Sequence, residues 1–208
     1  MQSEMILLLC RTSDDRHRGL SVLLFPLDTP GVEVSTIVTA WGSEEFAEVS
    51  FTGVRVPRSA LLGVEGQGWE IAMSTLVVER GPADIGWISS FRADIAPLLD
   101  RDDAATDTEL HRAAAWLEAL DATVAATLTA RRAGTFDAPA GSVDKLLMTK
   151  VDQLLHGAEI DADAATVLDG DTPALGRYQW GRAASIFGGT SQIQRGIVAQ
   201  RLLGLPRA

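Results

Sequence analysis

The sequence predicts an α+β fold: a partial antiparallel β domain over residues 1–62, followed by an up-down helical bundle over residues 63–208. Three observations carry this. Up to residue 62 the apolar residues come in short runs, one of them alternating with polar residues at the strand period of two. From "LLGVEGQGW" onward the apolar spacing changes to the helical period of about 3.6. The later segments are separated by "DRDDAATDT", "AGTFDAPAGS" and "DGDTPALG", whose Gly, Pro and Asp stop helices.

The elements follow in order. Strands are expected at "MILLLCR" (5–11), "GLSVLLFPL" (19–27), "GVEVSTIV" (31–38) and "FAEVSFTGVRV" (46–56), divided by turn-rich stretches such as "TSDDRHRG" and "DTPG". In the last of them Val49 and Phe51 share one face while Glu48 and Ser50 share the other, the pattern of a half-buried antiparallel strand. Four strands with no layer to cover them leave an apolar face open. The β region is therefore expected to be part of a larger sheet domain, the rest of it preceding this segment or coming from another polypeptide. Helices are expected at 67–80, 82–100, 107–133, 142–168, 177–186 and 191–203.

Composition excludes several classes of function. The 208 residues carry a formal net charge of -10 and 46% hydrophobic residues. Such a chain buries a sizeable core, and it lacks the basic field that captures nucleic acid or an anionic membrane. Any anionic ligand must be held locally. The single Cys10 forms no internal disulfide, and His17, His111 and His156 show no metal-ligand spacing, so no metal is expected. No apolar run approaches the roughly 18 residues of a membrane span and no signal peptide is evident, which makes the cytoplasm the expected location.

Two stretches could hold chemistry. The first is "GVEGQGWEIAMSTLVVERG" at 63–81. Its glycines suggest a phosphate loop, but Ile71 stands where the dinucleotide fingerprint requires its third glycine, and Glu65 and Glu70 flank the turn. The helix that follows places Trp69, Ala72, Leu76 and Glu79 on one face. If that face points inward, the Glu79 carboxylate is partly desolvated and more basic; if the helix end is solvated, it is inert. Periodicity alone leaves both readings open. The second stretch is "IFGGTSQIQR" at 186–195. Ser191 and Gln194 have the spacing of a capping box, Ile193 and Ile197 stack at i and i+4, and Gly188 and Gly189 form a flexible joint. By itself this is a bundle corner.

The run "FAEVSFTGVRVPRSALLGVEGQGWEIAMSTLVVERG", followed by helices and closed by "IFGGTSQIQRGIVAQRLLGLPR", resembles the acyl-CoA dehydrogenase family over essentially the whole chain. The resemblance implies the second part of the family's middle β domain and its C-terminal helical domain. It also implies FAD-dependent α,β-dehydrogenation of an acyl-CoA thioester, in which a carboxylate removes the α proton and a hydride passes from the β carbon to the flavin. In the family, the thioester oxygen is held by a flavin ribityl hydroxyl and by the backbone N–H of the residue just before "GT", often itself the glutamate base. The two-glycine joint places Gly188 at that position, so the resemblance implies the backbone donor without the carboxylate. In members typified by isovaleryl-CoA and long-chain dehydrogenases, the base lies instead on the first helix of the C-terminal domain, immediately before an arginine. The matching pair is Glu79 and Arg80, so the resemblance implies Glu79 as base and Arg80 as a substrate-orienting or ion-pairing residue.

For the cofactor it implies Gly189, Thr190, Gln192 and Gln194. It also implies association as a homo- or hetero-oligomer through the helical domain, and an electron-transferring flavoprotein as electron acceptor. Two family phrases depart. No arginine and "FG" phrase is found around "SSFRADIAPLL", and the glutamine and double-glycine phrase is reduced to "ATVLDGD" at 165–171. The departure resembles members that work as mixed pairs. The alternative expectation is therefore a non-catalytic partner subunit, or a truncated remnant, completing a hetero-oligomeric dehydrogenase. Steroid-side-chain, branched and fatty acyl-CoA substrates all remain open.

Overall fold

The computed structural model describes residues 3–16, 18–79, 82–162, 164–165, 170 and 172–206, with backbone alone for 77–79 and 82–84. The chain divides into two compact units, Met1–Val78 and Glu79–Ala208.

In the first unit β1 (Met5–Arg11) pairs antiparallel with β2 (Leu20–Pro26), Leu8 opposite Leu23, and β2 pairs with a two-residue strand β5 (Leu61–Leu62). A separate ladder joins β3 (Val32–Ile37) to β4 (Phe46–Phe51), Val34 opposite Val49. The Phe25 and Phe51 rings meet edge to face at 6.4 Å and link the two ladders through side chains. β4 ends at Phe51 rather than running to 56, because Gly53 takes a left-handed φ of 61° that no strand continues through. β1 is an edge strand whose Met5, Leu7 and Leu9 stand exposed beside Leu24.

Helix α1 (Gly68–Glu79) begins against β2. The Gly66 N–H donates to the buried Ser21 hydroxyl at 3.0 Å, and a Cβ added to Gly68 would lie 2.6 Å from the Ser21 backbone nitrogen. The "GQG" turn is thus explained by close backbone approach, with no phosphate needed. Trp69 and Leu76 are exposed, so the inward stripe expected on α1 is not formed within this unit.

The second unit contains α2 (Pro82–Leu99), α3 (Thr108–Arg132), α4 (Ala140–Ala162), α5 (Pro173–Ala183) and α6 (Ser191–Ile197), the last continued by a π-helical turn, Val198–Leu202. α5 starts four residues earlier than the sequence suggests. Thr172 is its N-cap, accepting from the Leu175 N–H at 3.2 Å, and Pro173 sits at the first helical position, where its missing N–H costs nothing. Leu110, Ala113, Leu117, Leu120 and Val124 of α3 repeat at alternating steps of three and four, all at or near zero exposure. They interlock with Ile88, Phe91 and Ile95 of α2 and with Met148, Val151, Leu155 and Ala158 of α4. Truncating such a side chain costs about 2–5 kcal/mol.

α4 is unusual in burying a second, polar stripe made of Lys145, Thr149, Asp152 and His156. Asp152 Oδ1 hydrogen-bonds His156 Nδ1 at 2.8 Å, and Gly181 of α5 lies so close that an added Cβ would be 3.1 Å from an Asp152 carboxylate oxygen. Asp144, also buried, faces Thr127 and Thr123 of α3. Burial pushes its carboxyl above the ordinary value, while those hydroxyls and the charge of Arg131 pull it back.

With the folded pKa above the unfolded one, the native state binds more protons in the interval between them, so stability declines as pH rises through it. Relative to the parent chain, Asp144→Asn should therefore gain stability from about pH 4 toward neutrality. Denaturant melts at several pH values check this, and a difference constant across the range contradicts it.

Candidate functional site

The joint between α5 and α6 collects most of the residues singled out in the sequence. Its backbone is fixed at both ends: Ile186 and Phe187 donate to the Ala183 carbonyl at 2.8 and 3.0 Å, and the Ser191 N–H donates to the Ser185 carbonyl at 2.9 Å. Between them Gly188 and Gly189 are both left-handed, with φ of 62° and 90°. Space is not what excludes a side chain at Gly188, since an added Cβ would meet only Lys145 Cε at an ordinary 3.7 Å. The constraint is conformational, because an L residue at that φ pays roughly 1–2 kcal/mol that glycine does not.

Gln194, fully buried, donates from Nε2 to the Gly188 carbonyl at 2.7 Å. The Gly188 N–H has no acceptor among the described residues. Gly188 is thus held at its carbonyl, in the peptide to Gly189, while its N–H, in the peptide from Phe187, is left available. The expected capping box is replaced by another arrangement. Thr190 is the N-cap, its Oγ1 accepting from the Ile193 N–H at 3.3 Å, and Gln194 reaches back to Gly188 instead of Ser191. Ile193 is exposed and does not join the core.

Below the joint lies a residue that the sequence reading missed. Lys145 Nζ donates to the carbonyl of Ala184, the residue closing α5, and to Thr149 Oγ1 at 2.9 Å; the Thr149 hydroxyl also reaches that carbonyl at 3.0 Å. The ammonium sits 5.4 Å from the centroid of the Phe187 ring. A cation at a helix C-terminus is favoured by the aligned carbonyls. Here it also fastens α4 to the segment leading into Gly188. The signal in the sequence was the repeat of polar residues at 145, 149, 152 and 156, four positions on one helical face.

Gln192 is exposed and Ser191 buried, and both border a groove shared with α3 and α4. Glu79 is the last residue of α1, described by its backbone alone, and Arg80 lies outside the described residues. The joint thus gathers Gly188, Gly189, Thr190, Gln192 and Gln194, while Glu79 belongs to α1. Among the described residues no cluster of His, Cys, Asp or Glu could hold a metal, and no helix is long and apolar enough to cross a membrane. The joint does fit a hydrogen-bonding organic cofactor: Gln194 Oε1 is buried without a partner, and the Gln192 amide is open.

Residues 66–203 match the model of the acyl-CoA dehydrogenase C-terminal domain. The chain belongs to the acyl-CoA dehydrogenase family. Acyl-CoA dehydrogenase IpdE1 of Mycobacterium tuberculosis is 36% identical, the match taking in 99% of this chain and 56% of that protein. Among solved structures, PigA with FAD and proline superposes with a TM-score of 0.86 at 20% identity, over 98% of this chain and 57% of that one. The ChsE4–ChsE5 complex from Mycobacterium tuberculosis superposes with a TM-score of 0.76 at 23% identity, over 99% and 58%. The chain spans little more than half the length of these acyl-CoA dehydrogenase-fold proteins.

Replacing Lys145 with Met keeps the apolar stem and removes the charged donor. This should cost about 1.5–3 kcal/mol, the range for a buried hydrogen bond from a charged group. Amide exchange should quicken at 185–190 while the α3 core from Leu110 to Val124 stays protected. Uniform loss of protection across the bundle, or none at the joint, would contradict the tethering role.

Proposed function

We propose that this chain is the C-terminal portion of an FAD-dependent acyl-CoA dehydrogenase, cytoplasmic, acting on an acyl-CoA thioester as part of an oligomer. The observation that carries the reading is Gly188, whose carbonyl is bound by Gln194 and whose N–H, in the preceding peptide, is unclaimed among the described residues. An N–H held in advance toward a thioester oxygen stabilises the enolate charge that develops there, and such a donor is worth roughly 2.7–4 kcal/mol in the transition state. Because glycine stands at this position, the carboxylate must come from elsewhere.

Glu79 takes the α proton in this account, and Arg80 orients the substrate or holds Glu79 ionised. Thr190, Gln192, Gln194 and the Gly189 backbone would hold FAD, which when bound supplies the hydride acceptor. The family membership supports the reaction class, and the Glu79-Arg80 pair matches one of the two known placements of the base. An electron-transferring flavoprotein is the proposed electron acceptor.

A second reading has its own support. The family's flavin-contacting glutamine and double-glycine phrase is reduced to "ATVLDGD", most of it outside the described residues, and one structural relative is a complex of two different named chains. This chain would then complete an active dehydrogenase without supplying the base.

The two readings part on one variant. With the assembly loaded with FAD, Glu79→Gln should slow flavin reduction by an acyl-CoA about 10²–10⁴-fold while thioester binding is retained. An unchanged reduction rate removes Glu79 from the chemistry and favours the partner-subunit reading.

A further inference from the structure

The buried polar stripe of α4 contains a residue that neither the joint nor the proposed reaction uses. His156 has a side chain only 5% exposed, and its Nδ1 hydrogen-bonds Asp152 Oδ1 at 2.8 Å. Its Nε2 is buried without a hydrogen-bond partner and lies 3.6 Å from Asp94 Oδ2 of α2. The Phe91 ring of α2 meets the imidazole edge to face at 6.2 Å between centroids. The other charges of this region are Glu159 of α4 and Arg177 of α5, which are joined to each other, Arg177 Nε donating to Glu159 Oε2 at 3.0 Å. The hydrogen bond to Glu159, its charge and the charge of Asp94 all hold the guanidinium in its charged form. Among the described residues His156 has no ionic partner beyond Asp94 and Asp152, and α3 brings none to it.

A neutral imidazole has one N–H and one bare nitrogen, and an ionised carboxylate can only accept. If Nδ1 carries the hydrogen, Asp152 is satisfied and a lone pair is turned toward Asp94. If Nε2 carries it, Asp94 is satisfied and a lone pair meets the Asp152 carboxylate at 2.8 Å. Either neutral form leaves a repulsive contact where little water can relieve it. One further proton removes the conflict, because both nitrogens then donate. Imidazole is a stronger base than carboxylate, so the ring holds that proton. The Asp94 side chain is short and 24% exposed, and a turn about its own bonds closes the remaining gap.

We propose that Asp94, His156 and Asp152 form a proton-operated clasp: with the proton bound α2 is fastened to α4, and with it lost the Asp94 contact opens. Asp152 also abuts Gly181 of α5, where an added Cβ would lie 3.1 Å from its carboxylate, so the clasp ties α2 to the α4–α5 pair. The sign follows from the proton count. The folded chain binds a proton at the clasp, so the tie is present at the acid end and is lost as pH rises across about 5 to 8, the interval in which imidazoles change charge. The clasp is independent of the dehydrogenase reading.

The test is amide exchange of the 208-residue chain at about pH 5.5 and about pH 8, expressed as protection relative to the intrinsic rate, beside the variant Asp94→Asn. Asparagine there offers an N–H to the bare Nε2 of a neutral imidazole, so its tie needs no proton. In the parent, protection over residues 88–99 should fall about tenfold or more between the two pH values, the worth of a charge-assisted hydrogen bond, while in the variant it stays level. Nitrogen-15 spectra of the His156 ring, identified by its contact with Phe91, give a reading that needs no variant and decide the matter if Asp94→Asn fails to fold. Both nitrogens should be protonated at the lower pH and one should be bare at the higher. Equal pH dependence in the two chains, or a bare nitrogen already at the lower pH, overturns the proposal.

Discussion

The bond from the Lys145 ammonium to the Ala184 carbonyl is the constraint on which the joint depends. A charge nine-tenths buried is tolerated only where donors and acceptors replace its water, and Lys145 finds them in a helix-terminal carbonyl, a threonine hydroxyl and an aromatic face. Once so placed, it cannot move without taking the end of α5 with it. α4 therefore has two tasks. Its apolar stripe closes the core with α2 and α3, and its polar stripe holds α5 and the segment that follows. The left-handed pair Gly188 and Gly189 then turns the chain into α6, with Thr190 capping it and Gln194 fixing the Gly188 carbonyl.

Much of this fold is legible in the sequence because apolar spacing reports which side of an element is buried. The three-and-four alternation from Leu110 to Val124 is an unambiguous helix, and the strands of the first unit stand within a few residues of their expected limits. Boundaries were read less well where one residue type has two meanings. Pro173 breaks a helix from inside and starts one at the first position, and only the cap from Thr172 decides between these. Gly53 ends β4 through its φ, which the pattern of side chains does not encode.

The site was read by a different kind of signal. Gly188, Thr190 and Gln194 came from a motif, and the motif gave their positions but not their contacts: the cap is Thr190, and the glutamine serves the glycine carbonyl. Lys145 is easily passed over despite its polar repeat, because a lysine within a helix is by default a solvated one, and its burial follows from the arrival of α5 from far along the chain. The α1 stripe failed for the complementary reason. Periodicity says that Trp69 and Leu76 share a face, and cannot say whether this unit covers it.

The proposed function reduces to one physical statement: Gly188, its carbonyl bound by Gln194, would present its N–H to the negative charge on a thioester oxygen. The most direct measurement of that statement is the infrared carbonyl stretch of an isotope-labelled, non-oxidisable thioester bound to the FAD-loaded protein. The account predicts a shift to lower frequency than in water, and a smaller shift when Lys145 is replaced by Met. A bound carbonyl that absorbs where the free thioester does would contradict it.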